Sequence, residues 1–273
     1  MAKRKLVTLL TDFGTGDPYV AAMKGMILQG CPSADIVDVS HDVPAHDLLA
    51  GAFVLGYSAP FFPPETLHVV VVDPEVGSDR KILAGRFGGQ TFLFPDNGVI
   101  SIVAAQMAME GLFAVRNTQF LPPGLPSATF HGRDIFAPVA AHILNGVDIS
   151  RLGPQPDRFK LLDFPGPDLT GPEIVGRVIY VDGFGNLVSN VAQKNIQARF
   201  ELDKACVFCV GRQVGPLQGA YAFVPKGQLL AIVNSVDLLE IAVNQGRACD
   251  VLNAGVGAEV RVTQATNNRA LGK

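Results

Sequence analysis

The stretch 67-LHVVVV-72 constrains the fold more than any other part of this 273-residue chain. It is nearly unbroken apolar sequence ending in four valines, with no alternation of polar and apolar positions. A strand with one face in water alternates, so a continuous run of this kind belongs to a strand covered on both faces. It is also far too short for a membrane span, which needs about 20 apolar residues. The flanking sequence fits a covered sheet. Leu6–Leu10 is a first short strand, and Pro18–Gly30 carries Val20, Met23, Met26 and Ile27 at helical spacing before a glycine stop. Asp35–Val39 reads as a second strand and Ala45–Tyr57 as a second helix, ended by Pro60. Ile82–Phe87 and Gln90–Phe94 read as a hairpin around Gly88-Gly89, followed by a helix over Val99–Met109 and a strand over Leu112–Val115. Strands alternating with helices predict an α/β domain with a central, mostly parallel sheet.

The character changes at Arg151. The segment 151-RLGPQPDRFKLLDFPGPDLTGP-172 carries five prolines and no period, which reads as a linker. Beyond it, 174–191, 206–211, 220–235, 239–248 and 257–263 read as short strands separated by turns. The expected organisation is an α/β domain over 1–150, a linker over 151–173, and a smaller β-barrel-like domain over 174–273.

Composition narrows the function classes. The net charge is −3 and no Lys/Arg run stands out, so neither nucleic acid nor membrane is expected as a partner. The run 6-LVTLL-10 passes straight into Thr11-Asp12, too short for a signal-peptide core, and a cytoplasmic location is expected. The pair 206-CVFC-209 has metal-like spacing, but it lacks a second pair and lies in strand-like sequence. It reads as buried small hydrophobes, with no disulfide needed.

Polar residues gather where the parallel strands should end, and open α/β sheets bind ligands beyond those carboxyl ends. Asp12 follows the first strand, His41-Asp42 the second, Asp73 the third, and Asp96-Asn97 the Gln90–Phe94 strand; His131 opens a later helix. Each cluster alone also reads as a turn or a helix cap. There is no G-x-G-x-x-G, P-loop or G-x-S-x-G motif. An Asp just past the first strand is suited to a ribose diol, which points to a nucleoside ligand without a pyrophosphate. The run 41-HDVPAHD-47, with Asp73 and His131, leaves a metallohydrolase open, although His46-Asp47 reads equally as a helix cap.

Taken in order, 11-TDFG-14, 17-DPYVAAMKG-25, 73-DPEVGSDR-80, 95-PDNG-98, 129-TFHGRDIFAP-138, 182-DGFGNLVSN-190 and 234-NSVDLLEIAVNQG-246 resemble the S-adenosyl-L-methionine hydroxide adenosyltransferase family, relatives of the fluorinases and chlorinases. The resemblance implies hydrolysis of S-adenosyl-L-methionine to adenosine and L-methionine by water attacking ribose C5′. It implies no cofactor and no metal. It assigns Asp73, Arg80 and His131 to the attacking water, Asp12 to the ribose diol, and Asp182, Asn186 and Ser235 to the methionine end. Tyr19, Phe130 and Phe223 are carried over as further substrate contacts, the two Phe flanking the sugar and the adenine. His131-Gly132 stands where the halogenating relatives carry a Tyr-Ser type pair, those relatives lack the acidic residue at the Asp73 position, and only a short turn precedes Ile82 where the fluorinase has a long insertion; all three favour water over halide. Departures are Glu75, where the family has Gly, Tyr19 and His46, where the fluorinase has Ser and Trp, and Asp182, one residue closer to its Asn than in the fluorinase. The resemblance further implies a homotrimer with each site between the N-terminal domain of one subunit and the C-terminal domain of its neighbour. A binding protein without turnover, a metallohydrolase and a halogenase are the rival readings.

Overall fold

The computed structural model describes residues 5–164 and 166–264, and the chain falls into two compact units that divide between Asp163 and Phe164. In the first, every residue of 67-LHVVVV-72 is buried, as a strand covered on both faces requires. Six strands form one sheet: β1 (Lys5–Thr11), β2 (Ala34–Ser40), β3 (Leu67–Val71), β4 (Ile82–Phe87), β5 (Gln90–Pro95) and β6 (Met109–Ala114), in the order β2-β1-β3-β5-β4-β6. β2, β1, β3 and β5 are mutually parallel, while β4 runs antiparallel between β5 and β6. The sheet is mixed and mostly parallel, and helices cover it. Helices α1 (Tyr19–Gly30), α2 (Leu48–Ser58), α3 (Ser101–Gln106) and α4 (Ala137–Leu144) follow in chain order. Met23 and Ile27 of α1 and Val139 and Ala140 of α4 join Val7, Leu9, Val69 and Val71 in one buried cluster. Val72 turns toward α2, where a side chain at Gly51 would press on it.

Several boundaries differ from the sequence expectation, and two of the shifts have a visible cause. Helix α2 starts three residues late because Asp47 caps it, its Oδ1 accepting the Ala50 N–H at 2.9 Å. Helix α3 ends at Gln106, short of Met109, because Met107 is extended and Met109 already pairs with Phe87 in the sheet. The apolar run there has no polar break to mark that change.

The second unit is a closed barrel of seven strands: β7 (Ile174–Val181), β8 (Leu187–Ala192), β9 (Ala205–Cys209), β10 (Arg212–Gln218), β11 (Leu229–Val233), β12 (Leu238–Val243) and β13 (Glu259–Gln264). Their order is β10-β11-β12-β8-β7-β13-β9. Closure removes the free sheet edges that would otherwise invite pairing with other chains. Strand β10 was not expected from sequence, because it contains Gly215 and Pro216; a bulge near Gly215 accommodates them. Cys206 and Cys209 are both buried, and burial pushes the Cys209 thiol up to about 11. Among the described residues, no helix is long and apolar enough to cross a membrane.

Candidate active site

The chain leaves β1 toward β2 on one side and returns to β3 on the other, so the carboxyl ends of β1 and β3 flank a switch point of the sheet. Asp12 lies just past β1 and Asp73 two residues past β3. The segment 73–80 then folds back on itself in tight turns, with the Val76 N–H donating to the Asp73 carbonyl and the Ser78 N–H to the Glu75 carbonyl. Gly77 makes the fold-back possible. Its φ is +82°, and a Cβ there would lie 2.4 Å from the Ala128 carbonyl oxygen. The result brings Arg80 back onto Asp73.

Arg80 Nε donates to Asp73 Oδ2 at 2.7 Å, and Nη2 donates to the same oxygen. Both side chains are almost wholly buried, at 3% exposure for Asp73 and 2% for Arg80. Arg80 Nη2 also lies 2.7 Å from His131 Nδ1. A guanidinium only donates, so Nδ1 must accept and the ring proton sits on Nε2. Burial, then the Arg80 charge, hold the His131 pKa below its usual value, against the opposing pull of Asp73 and Asp134. The imidazole is therefore neutral at neutral pH. The other Asp73 oxygen, Oδ1, is buried with no hydrogen-bond partner. An unpaired buried carboxylate oxygen is costly, and such a group calls for a partner or a chemical role.

His131 reaches this position from a one-turn π-helical segment, Gly132–Phe136, that runs into α4. Gly132 is needed for closeness: a Cβ there would meet Met23 Sδ at 3.0 Å and Phe130 at 3.2 Å. Its neighbours Arg133 and Asp134 have a local task. They pair with each other, and Asp134 accepts the Ser127 N–H at 2.8 Å, bracing the proline-rich loop before the helix.

Asp73 and His131 line an open cleft of about 440 Å³ together with Phe13, Tyr19 and Phe130. The three rings meet edge to face, with centroids 5.1 to 6.0 Å apart. Two of them, Tyr19 and Phe130, were expected site residues; Phe13 was not, although it is the residue after Asp12. Asp12 itself does not line this cleft. One of its oxygens, Oδ2, accepts the His46 N–H at 2.9 Å. His46 holds a left-handed backbone, φ +66°, to make that contact.

The other polar clusters at the sheet edge divide. Asn97 donates to the Val72 carbonyl, and Asp96 accepts the Lys160 N–H at 2.7 Å, so 95-PDNG-98 clamps the end of β3 and the chain that follows. His41 is buried against Thr11 and Asp38. Among the described residues, no three His, Cys, Asp or Glu side chains gather as a metal-ion ligand set.

The remaining predicted residues stand in the barrel unit. Asp182 closes the β7–β8 turn: Oδ1 accepts the N–H groups of Phe184 and Asn186, and Oδ2 accepts the Asn186 amide at 2.9 Å. Ser235 is exposed in the β11–β12 turn, and Phe223 is 71% exposed at the end of a single turn, Tyr221–Phe223. Sequence reading passed over Glu240, a buried carboxylate of β12, because it sits inside an otherwise apolar strand.

Comparison with known proteins agrees over both units. The SAM hydroxide adenosyltransferase N-terminal domain matches residues 7–153, and the SAM hydroxide adenosyltransferase C-terminal domain matches residues 176–261. The chain is 35% identical to the (R)-S-adenosyl-L-methionine hydrolase of Thermus thermophilus, over 94% of this chain and 98% of that one. It is 36% identical to the protein of the same name from Salinispora arenicola, over 96% and 99%. The crystal structure of an uncharacterized conserved protein from Thermotoga maritima matches with a TM-score of 0.89 at 34% identity, over 94% of this chain and 100% of that one. The chain belongs to the SAM hydroxide adenosyltransferase family.

Proposed function

We propose that the protein hydrolyses S-adenosyl-L-methionine to adenosine and L-methionine, and that Asp73 takes the proton of the attacking water. The observation that carries this reading is the buried, unpartnered Asp73 Oδ1 at the cleft, beside a histidine that burial, and then Arg80, keep neutral. In the reaction, the water oxygen bonds to ribose C5′ as the C5′–S bond breaks. The bonding pair goes to sulfur, which leaves as a neutral thioether, and one water proton goes to Asp73 Oδ1. No leaving-group acid and no cofactor are required. His131, with its proton on Nε2, orients the water as a donor. Arg80 holds Asp73 by Oδ2 only, which leaves Oδ1 for the water. Such positioning is worth up to about 7–11 kcal/mol of a barrier in ideal cases, and a placed base contributes about 10²–10⁴-fold in rate.

A halide nucleophile suits this cleft poorly. Asp73 stands at the cleft with one oxygen unpaired, and a carboxylate and a halide at contact distance repel each other. For the substrate, we assign Asp12 to the ribose diol, Tyr19 and Phe130 to the cleft wall against the sugar, and Asp182, Asn186, Phe223 and Ser235 to the rest of the molecule. The family resemblance supports that set, together with a homotrimer in which two subunits complete each site. Four free cysteines are consistent with action in the cytoplasm, where thiols stay reduced.

The test is an incubation of purified protein with S-adenosyl-L-methionine and EDTA, without halide, followed by chromatography. Equal amounts of adenosine and methionine, absent with Asp73→Asn, are expected. Bound nucleoside without methionine release would return the protein to a binding role, and loss of turnover with EDTA would favour a metallohydrolase.

A further inference from the structure

Glu240 has no part in the reaction as written, yet its burial and its partners ask for one. It lies in β12 opposite Ile232 of β11 and Val188 of β8, with 4% of its surface exposed. Both carboxylate oxygens are engaged. The Tyr221 hydroxyl donates to Oε1 at 2.7 Å, and the Asn234 amide donates to Oε2 at 3.3 Å. These donors belong to different loops. Tyr221 opens the turn that ends in Phe223. Asn234 begins the β11–β12 turn, and its Oδ1 accepts the N–H groups of Val236 and Leu238, each at 3.1 Å, closing the turn that displays Ser235.

We propose that Glu240 is a positioning residue: one buried carboxylate ties the turn carrying Phe223 to the turn carrying Ser235, so that both meet the substrate as one unit. The inference rests on the hydrolase reading above, which gives those two residues to the substrate. Barrel stability alone is a poor reason for Glu240. Burying a carboxylate costs free energy unless it is fully hydrogen-bonded, and well-packed apolar residues often replace buried polar sets without loss. Burial first, with the nearby Asp182 charge, pushes the Glu240 pKa up, while Tyr221 and Asn234 pull it down. The carboxylate is thus held in place at a cost that the two loops offset.

The experiment measures S-adenosyl-L-methionine turnover by the full chain as wild type, Tyr221→Phe, Glu240→Gln and Glu240→Ala, with thermal melts of each. KM should rise roughly tenfold in Glu240→Ala while kcat stays within about twofold, because ground-state grip is lost and the chemistry is not. Glu240→Gln should fall between, since its amide keeps an acceptor for Tyr221 but turns an N–H toward Asn234. Tyr221→Phe should raise KM in the same direction, and the Tyr221→Phe/Glu240→Gln double variant should cost less than the sum. A merely structural role would lower the active fraction, and so kcat, without moving KM. Should Glu240→Ala fail to fold, Tyr221→Phe, which loses a single hydroxyl, carries the test. Folded Tyr221→Phe and Glu240→Gln with wild-type KM would overturn this inference alone. A wild type that turns over no S-adenosyl-L-methionine would overturn it together with the reading it rests on.

Discussion

Asp73 and Asp182 each follow the end of a strand, and the molecule uses them in opposite ways. Asp182 gives both oxygens to its own turn, accepting three N–H groups from residues 184 and 186. Asp73 gives one oxygen to Arg80 and leaves the other buried and unpaired beside the cleft. The first arrangement is complete without a ligand, and the second is not. Proximity to other polar groups does not separate the two carboxylates, because both have it. What separates them is whether the local chain has already satisfied the group. By that measure Asp182 is a turn clamp, whereas Asp73 keeps an unpaired oxygen, the feature on which the proposed role in taking the water proton rests.

The largest effect should come from Asp73→Asn. It keeps the shape and an oxygen for Arg80 but removes the proton acceptor, so kcat should fall about 10²–10⁴-fold while substrate binding persists. Steady-state kinetics with calorimetric binding would check this, and an undiminished kcat would break the contrast with Asp182. A second comparison sets two histidines side by side. His68 sits in the middle of the sheet, hydrogen-bonded to Thr8 and stacked on Phe92, and burial pushes its pKa from 6.5 to about 4. The folded state therefore binds this proton more weakly than the unfolded chain. Its contribution is intact above pH 6.5 and is lost as pH falls toward 4, by about 3 kcal/mol in total. Denaturant unfolding across that window should show the loss, and His68→Gln should flatten it.

Asp182→Ala should act on the fold more than on the chemistry. Losing the acceptor of three N–H groups should cost about 1–3 kcal/mol, read as a lower melting temperature. A fall in kcat comparable to that of Asp73→Asn would contradict the distinction. The smallest effect concerns His131. Because burial and Arg80 lower its pKa, the acid limb of kcat/KM should lie below the ordinary histidine value of 6.5. An acid limb above that value would contradict the lowered pKa, and a rate lost as pH rises through the histidine range would mean that the ring works as a cation.

Much of the frame was legible in the sequence, for reasons that are local. The valine run fixed β3, and the glycine pair fixed the β4–β5 hairpin to the residue at Ile82–Phe87. The end of α3 and strand β10 were not legible. The first depends on pairing between Met109 and Phe87, and the second on a bulge that absorbs Gly215 and Pro216, and both are long-range facts. Within the site, Asp73, Arg80 and His131 were assigned to the attacking water by the family resemblance, but which of them takes the proton was not. The assignment of the proton to Asp73 proposed above rests on the one carboxylate oxygen that Arg80 leaves unpaired, and no spacing in the sequence encodes that. Asp12 and Asp73 look alike as post-strand carboxylates, yet only Asp73 lines the cleft of this unit.

The most direct test of the account follows the nucleophile itself. Turnover of S-adenosyl-L-methionine in water enriched in heavy oxygen, with mass spectrometry of the nucleoside, reports which atom attacked C5′. The account predicts one heavy oxygen at the 5′ position of adenosine for each methionine released. A nucleoside without the label, or a sulfur-bearing nucleoside in place of adenosine, would contradict it.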